Sequence, residues 1–451
     1  MTLMNTALYI TDETNEFIKK RLFFNNGEMA GAHTVSVSEI PSNEYFNGFG
    51  VAITGSSCYE LSTMTPQARN EFLDDIYGEN GLNLSVGRLS IGSSDYSADV
   101  YSYCDKENDL SLESFSIERD KEYIIPMIKE ILKHNPGLKL FASPWSPPGW
   151  MKTGGSMCGG YMRNEYIDCY ADYIIKYIEA YKAEGIDIFA ITPQNEPETQ
   201  QNGHMPACIW HPDTEAEFIK VLRKKLTAAG MKTLIWMYDH CFDGINRISY
   251  QLSQYPTLIN DCNAVAFHYY TGTVEMVSEL KKKYPNIHWN FTEGGPRLYD
   301  NYGTDWSKWS MMMSKSLNTG SDSFTGWNLL LDECGGPNIG PFFCGGLATL
   351  NSQTGDLVYS GQYKAFRHFS KFIKHGAKIY PVQVKNCNTC MFAFPRHDFP
   401  IEGTAAVNPD GSHVLELVNA NSDKAQLQYF YGEKWWYIEL TPNSAATVIF
   451  K

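Results

Sequence analysis

No stretch of about 18 consecutive apolar residues occurs in this 451-residue sequence, which predicts no membrane span. Clustered positive charge is missing too. Lys and Arg number 37 against 51 Asp and Glu, a formal charge of −14, with no basic patch or arginine-rich arm. That balance argues against nucleic acid or an anionic membrane as a partner held by charge. The opening M-T-L-M-N-T-A-L-Y-I has no basic region, long apolar run or small-residue cleavage site, so no secretory leader is expected. Eleven cysteines, an odd number without the framework of a small disulfide domain, suit a reducing compartment. A cytoplasmic protein is the expectation, with a secreted form whose leader has been removed as the alternative.

Other absences narrow the chemistry. There is no G-x-S-x-G, the elbow of the α/β-hydrolases. The glycine-rich T-G-G-S at 153–156 and C-G-G-Y at 158–161 lack the strand–glycine–helix setting of a dinucleotide site. Cys387 and Cys390 form one C-x-x-C with neither a second such pair nor a histidine pair, so no zinc knuckle is predicted. No metal or organic cofactor is expected. Internal repeats and low-complexity linkers are also missing.

What is present is length enough for a large α/β domain and a smaller one. The 28 Tyr, 24 Phe and 10 Trp suit a large core first and sugar-stacking surfaces second. From residue 45 onward, eight β-rich runs alternate with amphipathic segments: Phe46–Thr54, Asn83–Gly92, Lys139–Ser146, Ile188–Asn195, Thr233–Asp239, Ala264–Tyr270, His288–Thr292 and Ser323–Leu331. The intervening segments 66–77, 121–132, 165–181 and 215–226 place apolar residues at spacings of three and four, the helical period. Eight strand-then-helix units predict an α/β fold of the (β/α)₈ TIM-barrel type over 45–376. From Lys378 the pattern changes to short alternating strands, at 414–420, 425–431, 435–440 and 446–450, separated by N-P-D-G-S, N-S-D and T-P-N-S turns. This predicts an attached β-sandwich over 377–451, to which the strand-like residues 1–44 would add.

Two segments carry the strongest chemical signal. T-P-Q-N-E-P at 192–197 and N-F-T-E-G-G at 290–295 each place a glutamate at or after the end of a predicted strand, the fourth and the seventh. In a (β/α)₈ barrel the reacting groups stand at that end of the strands. Glu196 and Glu293 could therefore flank a glycosidic bond, one protonating the leaving oxygen while the other attacks or activates water. A carboxyl separation of about 5 to 5.5 Å gives retention through a covalent intermediate, and roughly 6.5 to 9.5 Å leaves room for an inverting water. The plain alternative is that each is a solvated loop carboxylate.

The segments F-N-G-F-G-V-A-I-T-G, V-G-R-L-S-I-G-S-S-D-Y-S, F-A-S-P-W-S-P-P-G-W-M-K-T, T-P-Q-N-E-P, F-H-Y-Y, F-T-E-G-G and W-N-L-L-L-D-E-C-G-G-P-N resemble, in order and along almost the whole chain, glycoside hydrolase family 30, the glucosylceramidase-like enzymes. The resemblance implies a barrel with a β-sandwich built from both termini, no cofactor and a retaining mechanism. It implies Glu196 as general acid/base and Glu293 as nucleophile, with Arg88 beside the nucleophile and Asn195 on the sugar 2-hydroxyl. Asp95, Trp145, His268, Tyr270, Trp327 and Asn338 are the further substrate-binding candidates. Tyr270 is placed to hydrogen-bond Glu293, His268 ranks below it, and Asn338 is the weakest. Burial or a like charge is expected to keep Glu196 protonated at rest. Tyr96, and G-G-P-R-L-Y after Glu293, depart from the animal lysosomal members, which puts a lipid substrate in question. The expected substrate is a β-linked glucoside or short oligosaccharide. Endo-β-1,6-glucanase, β-xylosidase and β-fucosidase activities remain alternatives within the family, and a catalytically silent carbohydrate-binding protein is the alternative outside it.

Overall fold

In a computed structural model of the chain, residues 6–385 and 401–450 are described. Cys387 and Cys390 lie outside them. The eight predicted runs become eight parallel strands: Gly48–Ala52, Val86–Ile91, Lys139–Pro144, Ile188–Ile191, Leu234–Cys241, Ala264–His268, Trp289–Glu293 and Ser323–Gly326. They close into a barrel in sequence order, the eighth pairing with the first through Phe324 and Phe49. The helices follow their periodicity. Thr65 caps Pro66–Tyr77, whose proline sits where a missing N–H costs nothing. Ile167–Ala183 buries Tyr170, Ile174, Tyr177, Ile178 and Tyr181 along one face. The segment expected over 121–132 is a helix over Ile124–His134, preceded by a 3₁₀ turn at Glu118–Lys121.

The barrel lumen changes character along its axis. Val86, Phe141, Ala190, Trp236, Ala264 and Ala266 fill one end as an apolar plug. Two residues beyond Val86 on the same strand face comes Arg88, and from there to the carboxyl ends of the strands the interior is polar and charged. The plug makes the lower barrel a packed core, so the only route to the charged layer is from the strand ends.

Strands from both termini form a second sheet system. Thr6–Thr11 pairs with Ser444–Phe450, which continues through His413–Asn419 and Glu402–Val407 to Lys378–Lys385. That last strand belongs to two layers: Lys378–Pro381 pair with Thr404–Val407, whereas Val382–Lys385 pair with Thr34–Val37. Ala425–Tyr431 and Lys434–Leu440 complete the second layer. Leu417, Leu427, Leu440, Ala446 and Val448 fill the space between layers. The helix Gly361–Phe372 packs against this sheet, and its His368 lies fully buried between Thr447 and Thr11, 2.8 Å from each hydroxyl. Among the described residues no helix is long and apolar enough to cross a membrane, and the cysteines are free thiols.

Candidate active site

The charged layer is organised by Asp239, at the end of the fifth strand. Tyr238 and Asp239 both adopt positive φ, 77° and 59°, and the pairing register with the sixth strand slips between Tyr238 and His240. Such backbone costs about 1–3 kcal/mol per residue and persists only where surrounding contacts hold it. Here they do. Asp239 Oδ2 accepts from Arg88 Nη2 at 2.9 Å, Ser143 Oγ at 2.9 Å and Thr192 Oγ1 at 2.7 Å. Its Oδ1 accepts from Thr292 Oγ1 at 2.7 Å and lies 3.1 Å from His268 Nε2. Burial opposes its ionisation, but the Arg88 guanidinium and the bond with His268 outweigh it and hold this carboxyl far below the usual range.

Around this anchor stand the two glutamates. Glu293 is the last residue of the seventh strand, as its position in the sequence implied. One of its oxygens accepts from Arg88 Nη1, and the other accepts from Tyr270 Oη at 2.8 Å. Gly295 lets the following loop pass the eighth strand's end, since a Cβ there would stand 2.8 Å from Trp327 Cβ. Glu196 lies five residues beyond its strand, which ends at Ile191, in a left-handed conformation with φ 49°. Its backbone N–H is fixed by the Asp239 carbonyl at 3.0 Å. Its carboxylate accepts from Gln201 Nε2 at 3.0 Å and lies 3.2 Å from His268 Nδ1. The nearest oxygens of Glu196 and Glu293 are within 4.8 Å of one another, with His268 touching the space between them.

The protonation of this group differs from the expectation. Burial pushes Glu196 up, but the hydrogen bond from His268 and the charges of His240, His268 and Arg88 pull it below its ordinary value. Burial disfavours charge on His268 as well, yet Glu293, Asp239 and Glu196 raise it to about 9. These directions favour a proton on His268 and an ionised Glu196. The carboxyl that shifts the other way is Asp95, which burial and the charges of Glu293 and Glu196 push well up. Its Oδ1 is buried without a hydrogen-bond partner.

A cavity of about 260 Å³ opens onto both glutamates. Asp95, Trp145, Asn195, Tyr270 and Trp327, five of the substrate-binding candidates, line it. The two indoles stack with centroids 5.3 Å apart and lie over the Arg88 guanidinium at 4.9 and 5.4 Å. Asn195 Oδ1 accepts from Arg88 Nη2 at 2.8 Å. Two candidates stand elsewhere. His268 is behind the wall, joining Asp239 to Glu196, whereas Tyr270 and Thr271 beyond the end of the sixth strand line the cavity. Asn338 is consumed by its own loop, with Nδ2 donating to the Phe342 carbonyl and Oδ1 accepting from Gly340 N at 2.7 Å, so it shapes the wall through Phe342.

Sequence reasoning missed Asp239, Gln201, His240, Cys241 and Arg297, all at or behind the cavity wall. Asp239 was within reach, since it terminates the fifth predicted strand and the strand-end rule applies to it equally. Gln201 carried no signal, as its loop position depends on the short helical turn at Gln201–Gly203.

Comparison with known proteins agrees with this geometry. The chain is 27% identical to SrfJ of Salmonella typhimurium, whose crystal structure superposes with a TM-score of 0.90 over 99% of each chain. It is 29% identical over 420 residues to the endo-1,6-β-D-glucanase of Neurospora crassa, covering 89% of this chain and 85% of that protein. It is 27% identical over 402 residues to the lysosomal acid glucosylceramidase of Mus musculus, covering 84% and 76%. The sequence profile of the glycosyl hydrolase family 30 TIM-barrel domain matches residues 46–373, the whole barrel from the first strand to the last helix. With the closed barrel, the terminal sheet and two facing glutamates, this makes the protein a glycoside hydrolase of family 30.

Proposed function

We propose that the enzyme is a retaining β-glycosidase acting on β-glucosides by double displacement, with Glu293 as nucleophile and Glu196 as acid/base. The observation that carries this reading is that one oxygen of each glutamate lies within 4.8 Å of one of the other's across the same cavity, a close approach that favours direct attack. Glu293 attacks the anomeric carbon while Glu196 protonates the departing oxygen, and in the second half Glu196 takes a proton from the water that cleaves the glycosyl ester. Arg88 and Tyr270 each hold one oxygen of Glu293 and so orient the attacking lone pair. The proton for the first half is at hand on His268, 3.2 Å from Glu196, and further desolvation by bound glycoside favours its transfer to the carboxylate. Asp95, on the cavity wall, is positioned to hydrogen-bond glycone hydroxyls.

A panel of aryl β-D-glycosides (glucoside, xyloside, fucoside, galactoside) tests the glycone. Glu293→Gln should lose at least about 10⁴-fold in turnover while keeping its circular dichroism and melting temperature, since an amide cannot form the ester. Glu196→Ala with added azide should yield a β-configured glycosyl azide, and an α-configured or absent product would remove Glu196 from the acid/base role. A second reading, endo action on β-1,6-glucan, draws support from the likeness to the Neurospora crassa enzyme. Mixed oligosaccharides from that polymer would select it, and monosaccharide alone would select exo action.

A further inference from the structure

The bulge that places Asp239 has a second effect on the cavity wall. Adjacent residues of an extended strand point to opposite faces, but after the two left-handed residues the chain brings both His240 and Cys241 to the cavity that holds Glu196. One ligand atom from each of Glu196, His240 and Cys241 lies within 4.8 Å of the others. His240 Nδ1 is buried with no hydrogen-bond partner. The nearest carboxylate oxygen, of Glu198, is 3.9 Å from it, beyond hydrogen-bonding range. A buried imidazole nitrogen with nothing to bind is uncommon enough to need an explanation.

We propose that Glu196, His240 and Cys241 form an inhibitory site for a thiophilic divalent cation of the Zn²⁺ class, occupied in competition with the glycoside. Thiolate, imidazole and carboxylate are the donors that Zn²⁺ takes, at about 2.3, 2.0–2.1 and 2.0–2.2 Å respectively. Donors at those bond lengths around a tetrahedral ion stand roughly 3.4 Å apart, so a rotation of one or two side chains closes the observed triangle. Three protein donors leave a fourth position, which opens to the cavity. On binding, the Cys241 thiol gives its proton to solvent and Sγ donates its lone pair to the ion, and no oxidant or reductant takes part. The ion engages the Glu196 oxygen and fills the space of the leaving group, so it blocks turnover without unfolding the site. Hard cations such as Mg²⁺, which prefer six oxygen ligands, do not fit a set with one sulfur and one nitrogen.

The test uses the full chain carrying Cys387→Ser and Cys390→Ser, so that the sequence's C-x-x-C cannot contribute. Co²⁺ added to this protein should give one equivalent of a near-ultraviolet thiolate-to-cobalt absorption, and Zn²⁺ should displace it. Cys241→Ser should abolish the band, and His240→Gln should weaken Zn²⁺ binding by more than about 100-fold, beyond the range that outer-shell changes produce. Melting temperatures within a few degrees of the parent would show that both variants fold. With an active substrate, Zn²⁺ should raise KM at constant kcat, and a chelator should reverse it. No stoichiometric binding, or binding unchanged in both variants, overturns the proposal. Because the absorption band is read without substrate, its outcome is independent of which glycoside the enzyme cleaves.

Discussion

Two histidines in this molecule are buried to the same extent, both with no exposed surface, and they have opposite protonation. His268, at the barrel mouth, stands between the carboxylates of Asp239 and Glu196 and is raised to about 9. His368, at the seam between barrel and sandwich, stands between the hydroxyls of Thr11 and Thr447, and burial lowers it to about 3. The acids follow the same division. Asp239 is held ionised by Arg88 and His268, while Glu416 at the seam, with one hydroxyl partner, is pushed well above its ordinary value by burial. Burial alone neutralises a group. Burial beside a fixed opposite charge keeps it ionised. The mouth therefore carries compensated charge ready for chemistry, and the seam carries neutral polar groups suited to holding two layers together.

The widest gap between the regions should appear on removing one acid from each. Asp239→Asn strips a charge that balances Arg88 and His268 and should cost about 3–5 kcal/mol, as breaking a buried ion pair does. Glu416→Gln replaces an acid that burial pushes toward its neutral form by a group of similar shape and should cost under about 1 kcal/mol. Urea unfolding at pH 7 measures both, and equal losses would erase the distinction.

A second, graded contrast lies in pH. His368 is neutral in the fold down to about 3, whereas the unfolded chain takes up its proton near 6.5. Its contribution is complete above pH 6.5 and is lost as pH falls from 6.5 toward 3, at up to about 1.4 kcal/mol per pH unit. The groups facing it are Arg367 and Glu16 on one side and Glu416 beyond Thr447 on the other. Glu416 acts in the reverse sense, because a raised acid gains relative stability as pH falls toward 4.5. Stability of wild type minus His368→Gln, measured between pH 7 and 4.5, isolates the histidine and should decline with acidity. A flat difference would mean that His368 binds protons equally in the folded and unfolded chain.

The eight strands, the sandwich strands and both glutamates were legible because each rests on local pattern. Apolar periodicity names a strand or a helix, and a carboxylate at a strand's end is placed by the barrel's own rule. His268 and Asn338 were placed on the cavity by their neighbourhood in sequence, and both proved to spend their polar atoms elsewhere. For His268 the reason is a strand that ends one residue too early to present the ring, and for Asn338 a loop that closes on itself. Asp239's place at a predicted strand end was within reach, but its role was not, since its five partners come from strands two, three, six and seven and from Thr192 just beyond the fourth.

The sequence by itself determined the order of elements, the strand-end positions of the two candidate acids and the family, since these depend on residue type and spacing along one segment at a time. Only the closed barrel decided which groups are charged. Arg88, Asp239, His268 and Glu293 are separated by 25 to 205 positions in the chain, and ring closure brings them within about hydrogen-bonding distance inside a dry core. There the Coulomb interaction between neighbours exceeds the cost of leaving water, and the protonation of each is set by the others.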